Sequence, residues 1–212
     1  MKKSAKISAT ALIPLAMTVA MTVIAMVAST TTASAQMAGV KTNLLYWGTG
    51  TINVGVEAAV GPKTTLGVEL TGNPWVFGKR ELNRKIWHWS ATPEIRFWSS
   101  EAFDRGFVGI HAVAGAFDAG GIEFPLGILP NLKDHRYEGW TTGVGVSYGW
   151  QWWIGPRWNL EATVGVGYLY AEYNRFACPD CREADEENKV EHYFGPTKVG
   201  LSFAYLFGSK KR

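Results

Sequence analysis

Val199-Gly-Leu201-Ser-Phe203-Ala-Tyr205-Leu-Phe207, close to the C-terminus, sets large apolar and aromatic residues at every second position. A period of two is typical of a β-strand whose two faces meet different environments. The apolar face of this strand needs an apolar neighbour. In a narrow barrel, which cannot hold a large core, that neighbour is lipid. We therefore interpret this stretch as the closing strand of a membrane-spanning barrel.

The same alternation recurs along the chain. It is clearest in Gly143–Trp152 and in 158–170, which are separated by a tight turn at Ile154-Gly-Pro-Arg157. Strands of about 10 residues are long enough to cross a bilayer at a tilt. The pattern predicts an all-β fold, an eight-stranded antiparallel transmembrane β-barrel, with strands at 40–47, 52–60, 64–75, 87–98, 107–117, 143–152, 158–170 and a last one ending at Phe207.

The N-terminus has the features of a secretory signal peptide, which we place at residues 1–35. Lys2, Lys3 and Lys6 precede an apolar stretch, and Ala33-Ser-Ala35 provides a small-residue cleavage site. Cleavage would remove three of the 21 Lys and Arg and none of the 18 Asp and Glu, which leaves residues 36–212 neutral as one barrel domain. Scattered, balanced charge argues against a nucleic-acid partner. The expected location is the bacterial outer membrane, with membrane lipid as a partner.

The connections between strands alternate in length. Those at 61–63, 99–105 and 154–157 are short, whereas 76–86, 118–138 and 174–192 are longer, with 48–51 a short exception on the long side. Short turns belong to the periplasmic side and long loops to the outside, so both termini are expected in the periplasm. Aromatic residues at strand ends predict two interfacial girdles. One contains Trp98, Trp150, Trp152, Trp158 and Phe207, and the other contains Trp75, Trp87, Tyr170 and Tyr193.

Charged residues fall on the opposite, inward faces of the strands. A soluble barrel needs an apolar interior, so this pattern argues against one. Charges confined in a narrow interior must pair. The pattern favours a salt-bridged plug that closes the barrel, and the alternative is a narrow ion path or a proton-linked gate. The predicted network consists of Lys41, Glu57, Glu69, Glu94, Arg96, Glu161 and Lys198.

Cys178 and Cys181 form a single CxxC in a long, acidic loop. A disulfide formed in the oxidising periplasm is the favoured interpretation. A zinc site needs about four ligands, and His192 is the one nearby non-acidic candidate. Free thiols are the remaining alternative. We predict no cofactor and no metal.

A second long loop, 120–132, is unusually apolar, and Asp134, His135, Arg136 and Tyr137 follow it. Apolar loop residues of this kind either fold back over the barrel mouth or form a contact surface. On the first interpretation, the four polar residues make a structured outer loop. A catalytic interpretation would use His135 or His111 as a base, but no serine in an elbow-like context lies near His135. We expect no catalysis.

Several segments in fixed order resemble a known family. They include Lys41-Thr-Asn-Leu-Leu-Tyr-Trp47, Pro93-Glu-Ile-Arg-Phe-Trp98, Asp134-His-Arg-Tyr-Glu-Gly-Trp140 and Phe194-Gly-Pro-Thr-Lys198. The chain resembles, over about residues 41–207, the Bacteroidota outer-membrane barrels of the domain of unknown function thirty-five seventy-five. The resemblance implies an eight-stranded barrel similar to the membrane half of OmpA-type proteins. Some relatives are associated with fimbrial genes, and the family supplies no agreed activity.

These observations predict a small closed barrel with a structural or surface-interaction role. Fimbrial or other envelope proteins are the expected partners. A lipid-modifying enzyme of the outer membrane and a narrow pore are the two alternatives.

Overall fold

The computed structural model describes residues 37–74, 76–77, 84–121, 134–178, 181 and 183–208, with the backbone alone at 76–77 and 84–86. The chain divides between Ala35 and Gln36 into two units. The predicted signal peptide lies outside the described residues, as does the apolar loop segment 122–133.

In the described residues one antiparallel sheet closes in a ring of eight strands, which confirms the predicted all-β fold. In ring order the strands are β1, β2, β3, β5, β6, β7, β8 and β9, and β9 pairs with β1. The two-residue β4 pairs with β5 beyond the end of β3. The elements are β1 (Ala38–Asn43), α1 (Leu44–Gly48), β2 (Ile52–Gly61), β3 (Thr64–Asn73), β4 (Val76–Phe77), β5 (Arg84–Trp98), β6 (Arg105–Gly120), β7 (Arg136–Trp153), β8 (Trp158–Phe176) and β9 (Glu186–Phe207).

The first strand is shorter than predicted, because 44–47 is helical. Asn43 ends β1 and caps α1, since its side-chain oxygen accepts a hydrogen bond from the Leu45 N–H at 3.2 Å. The side-chain amide of Asn43 also donates to the carbonyl of Val199 on β9, at 3.1 Å. Asn43 therefore occupies the place on the β9 edge where β1 would otherwise continue. No helix within the described ranges is long and apolar enough to span a membrane.

The two ends of the ring differ. One end, the short-turn end, is formed by the connections 62–63, 99–104 and 154–157, and the other is the long-loop end. Ala38 pairs with Phe207, so the first and last strands meet at the short-turn end. At the long-loop end the rim is low at β1 and β2 and high at β7–β9, which are 18 to 22 residues long. We call 136–143, 168–176 and 186–195 the upper wall.

The ring has an apolar outside and a polar inside. The outward side chains of Val144, Val146 and Val164 are 53–60% exposed, whereas the inward Arg96 and Glu161 are each 1% exposed. The strand period therefore separates the two faces as the sequence predicts.

The short-turn end is filled by an interior apolar cluster made of Trp98, Ala102, Phe103, Phe107 and Leu206, all buried. Trp98 was predicted for an aromatic girdle, and that prediction is wrong. It follows Glu94 and Arg96 on the inward face of β5, and its indole N–H donates to the Thr65 hydroxyl at 2.9 Å. A Cβ at Gly149 would lie 2.3 Å from the Phe107 ring, so glycine makes room for this cluster.

Candidate functional site

The interior charge network is the most densely connected polar site of the described residues. It brings together the seven charged side chains that the strand pattern placed inside. Arg96 on β5 is its centre. Arg96 Nη1 lies 2.9 Å from Glu57 Oε2 and 2.8 Å from Glu161 Oε2, and its Nε lies 2.8 Å from Glu94 Oε2. A second bond, from Nη2 to Glu161 Oε1 at 3.1 Å, makes the Glu161 contact bidentate.

Two lysines extend the network to either side of Arg96. Lys41 Nζ lies 3.1 Å from Glu57 and 3.3 Å from Glu161. Lys198 Nζ lies 2.8 Å from Glu94 and 3.7 Å from Glu69. Each of the seven charged groups therefore has at least one partner of opposite sign, although they come from β1, β2, β3, β5, β8 and β9.

Hydroxyl groups that the sequence reasoning did not single out complete the carboxylate contacts. Thr65 donates to Glu57 at 2.6 Å, Ser147 donates to Glu94, and Thr163 donates to Glu161 at 3.1 Å. A buried carboxylate is stabilised when its remaining lone pairs accept such bonds. These three residues stand at inward positions of their strands, as the charged residues do. The period of two along each strand could therefore have identified them.

The network rests directly on the interior apolar cluster. The Arg96 guanidinium lies over the Phe107 ring, 4.1 Å from its centroid. The void beside Lys41, Glu69 and Lys198 has a volume of about 10 Å³, roughly enough for one water molecule. The arrangement resembles a filled interior more than an open polar channel.

His111 adjoins the network on its long-loop side. Its Nε2 lies 2.9 Å from the Thr197 hydroxyl, and the ring fits against Gly145 and Gly165, where a Cβ would lie 2.7 Å and 3.1 Å from it. Within the described ranges, no group of three or more His, Cys, Asp or Glu side chains is placed to hold a metal ion.

Comparison with protein families finds one matching model, described as protein of unknown function (DUF3575), over residues 20–207. The chain belongs to this family. Searches of curated proteins and of solved structures gave no match. The family description assigns no activity, so the geometry of the site has to support any functional conclusion.

The long-loop end of this DUF3575 protein carries the remaining predicted site residues. Cys178 and Cys181 form a disulfide, as predicted. Asp134 and His135 precede β7, and Asp134 is exposed. Arg136 and Tyr137, predicted as loop residues, are instead the first residues of β7. Their strand is extended because all of 136–153 pairs with β8.

Both residues join contacts within the upper wall. Arg136 lies 2.8 Å from Glu138 and 3.4 Å from Asp118, and its guanidinium lies 3.9 Å from the centroid of the Phe176 ring. Tyr137 packs edge-on against Tyr173, with ring centroids 5.6 Å apart. The described part of this end is thus a strand wall, and the apolar loop segment 122–133 lies outside the described residues.

One ion pair joins the two ends of the loop between β8 and β9. Arg175 donates from Nη2 to Asp185 Oδ2 at 2.8 Å. This hydrogen bond lowers the pKa of the Asp185 carboxyl and raises that of the Arg175 guanidinium. Asp185 belongs to the acidic stretch that precedes β9, so the pair ties this end of the loop to the end of β8.

Proposed function

We propose that the protein is a closed β-barrel of the bacterial outer membrane, with a structural or surface-interaction role and no catalytic activity. The observation that supports this most directly is the distribution of its side chains. Large apolar residues are exposed around the outside of the ring, and charged residues are buried inside it. A soluble barrel of this size has the opposite arrangement, whereas a membrane barrel requires this one.

The side chains of the interior favour a closed barrel rather than a pore. Three cations and four carboxylates interlock across the ring, and the interior apolar cluster fills the section next to them. An ion moving through would have to break buried ion pairs, and each broken pair costs several kcal/mol. No described residue near His111 or His135 supplies a serine or cysteine nucleophile in contact with either imidazole, and nothing else in the site favours the enzyme alternative.

The upper wall supports the interaction role. A crossing of about 10 residues is sufficient for a bilayer. β2 and β3 have 10 residues each, whereas β7, β8 and β9 have 18, 19 and 22. The excess length would stand outside the membrane. It carries exposed aromatic and charged groups, including Phe194 at 81% exposure, a mixture that suits a protein contact. We propose fimbrial or other envelope proteins as partners.

Location and closure can be tested together on purified protein. Unboiled protein in detergent should migrate differently on a gel after boiling, and the protein should insert into planar bilayers without raising their conductance. Steady single-channel steps would refute the closed interior. A protein that stays in the aqueous phase with vesicles, and does not change mobility on boiling, would refute the membrane location.

The interaction role needs an experiment in intact cells. A photoreactive amino acid at Phe194 should give a discrete protein adduct, identifiable by mass spectrometry as an envelope or fimbrial protein. The matched control is the same amino acid at Val164 on β8, 58% exposed, which should give lipid adducts instead. Equal protein adducts at both positions, or none at Phe194, would contradict the proposal.

A further inference from the structure

An apolar groove of about 410 Å³ runs along the outside of the ring, between β2, β3 and β5 near the long-loop end. Its floor is Gly72 with Leu70 below it. Ile52 on β2 and Trp89 on β5 stand on either side, and each is paired with Gly72 in register. The groove therefore follows the direction of β3, with one wall from each neighbouring strand.

The groove exists because β3 lacks a side chain at Gly72. A Cβ placed there would have one heavy atom within 4 Å, the carbonyl oxygen of His88 at 3.9 Å. The position is therefore open to a Cβ, which would make only ordinary van der Waals contact there. A side chain at this position would fill the groove rather than distort the sheet, which makes Gly72 a suitable point for a test.

The surface of the groove is almost entirely apolar. The outward residues Ile52, Val54, Leu70, Trp87 and Trp89 carry no charge. The strand residues between them turn their side chains to the other face, where Asn53 and Asn73 are 7% and 1% exposed. A ligand in the groove would thus meet hydrocarbon and indole rings, and no ionic group.

The groove is continuous with the apolar outside of the ring, and this determines which ligand fits it. In a membrane the hydrophobic effect does not favour one apolar surface over another, so selective binding depends on van der Waals contact. A flat strand surface contacts an acyl chain on one side, whereas a groove contacts it on three. The volume also falls within the usual range of small-molecule sites.

We propose that this groove binds one acyl chain of a lipid from the surrounding membrane, so that the barrel carries a specifically bound lipid beside β3. The inference rests on the proposed membrane location. The acyl chain would lie along β3 between Ile52 and Trp89 and extend toward Trp87 at the long-loop end.

Photocrosslinking in vesicles tests the proposal. The protein is folded into vesicles of dioleoylphosphatidylcholine that contain a small fraction of phosphatidylcholine with a diazirine on one palmitoyl chain. After irradiation, adducts are mapped by mass spectrometry. We expect adducts on Ile52 and Trp89 to exceed those on Val144 and Val164, which are outward residues on the far side of the ring, by about threefold or more.

Substitution at the floor gives the sharper comparison. Gly72→Leu should lower the adducts at Ile52 and Trp89 to the level found at Val144 and Val164. Ala114→Leu, which enlarges an exposed outward residue on β6, should leave them unchanged. If Gly72→Leu does not fold, Ile52→Ala removes one wall at a 60% exposed position and should reduce the Trp89 adduct.

The possible failures are distinguishable. Uniform adducts around the ring, or enrichment that persists in Gly72→Leu, would overturn the groove while leaving the barrel in the membrane. An absence of adducts at every outward position would overturn both the groove and the membrane location.

Discussion

Arg96→Met should be among the most destabilising substitutions in the protein. It removes the cation that contacts Glu57, Glu94 and Glu161 and retains an apolar stem of similar length. The interior would then hold two lysines against four carboxylates. Breaking a buried ion pair by removing one partner costs about 3–5 kcal/mol, since the remaining charge stays buried without compensation. Loss of the contact with Phe107 adds to the cost.

Urea unfolding of the protein in lipid vesicles would measure this loss, with the heat-dependent gel shift reporting the folded fraction. The matched control is Arg105→Met. The Arg105 side chain is 69% exposed and lies 4.0 Å from its nearest carboxylate, on Asp104, so removing its charge should change the free energy of unfolding by about 1 kcal/mol or less. A loss below about 1 kcal/mol for Arg96→Met would refute the view that the network is essential to a filled interior.

A double substitution distinguishes the loss of attraction between Arg96 and Glu161 from the cost of a buried carboxylate that has lost its partner. Glu161→Gln alone removes the bidentate partner of Arg96 and should also destabilise. When it is combined with Arg96→Met, the excess of carboxylates is reduced, so the double variant should be more stable than the two separate losses would predict. Strict additivity would mean that the two side chains do not interact in the folded protein.

Three further outcomes are expected. Phe107→Ala should lower the free energy of unfolding by about 3–5 kcal/mol in the same urea assay, because it leaves a cavity in the interior apolar cluster. The lowered pKa of Asp185 means that its pair with Arg175 stabilises the loop above the ordinary carboxyl pKa, and this stabilisation is lost as the pH falls through the lowered pKa. Hydrogen exchange of the loop, corrected for intrinsic rates, should therefore rise at acid pH in wild type. The rise should be smaller in Asp185→Asn, where Glu186, 3.3 Å from Arg175, is the remaining carboxylate partner. Replacing Cys178 and Cys181 by serine should leave the unfolding midpoint of the barrel nearly unchanged, since the bridge closes a very short loop, and a large shift would show that the loop supports the ring.

The interior of the ring was predictable because inward parity is a strict consequence of strand geometry. Once the strands are aligned in a narrow ring, alternate residues such as Glu57 on β2 and Arg96 on β5 must point into the same interior. Trp98 was harder to place, because an indole at a strand end suits either a headgroup belt or the interior. The alternation of Trp98 with Glu94 and Arg96 on β5 places it inside, where its indole N–H donates to the Thr65 hydroxyl.

The ends of several strands could not be read from the pattern, and two of them show why. Leu44 and Tyr46 continue the alternation of β1, and the chain nevertheless turns into a helix because the Asn43 side chain caps it. At the other extreme, β7 begins at Arg136, where no alternation of apolar residues marks a strand. If this part lies outside the membrane, nothing requires an apolar face there, so its only signal is pairing with β8.

The closure of the ring by its own chain ends determines how the molecule can be assembled and how it should come apart. β1 meets β9 through six residue pairs, from Ala38 with Phe207 to Asn43 with Ser202. Such a non-local junction forms slowly and cannot form before the entire chain has been delivered. Until then the edges of β1 and β9 have unpaired backbone groups and are prone to mispairing. β1 also has only four residue pairs with β2, whereas β7 and β8 share 18. The ring should therefore begin to open at β1, on either side of this strand.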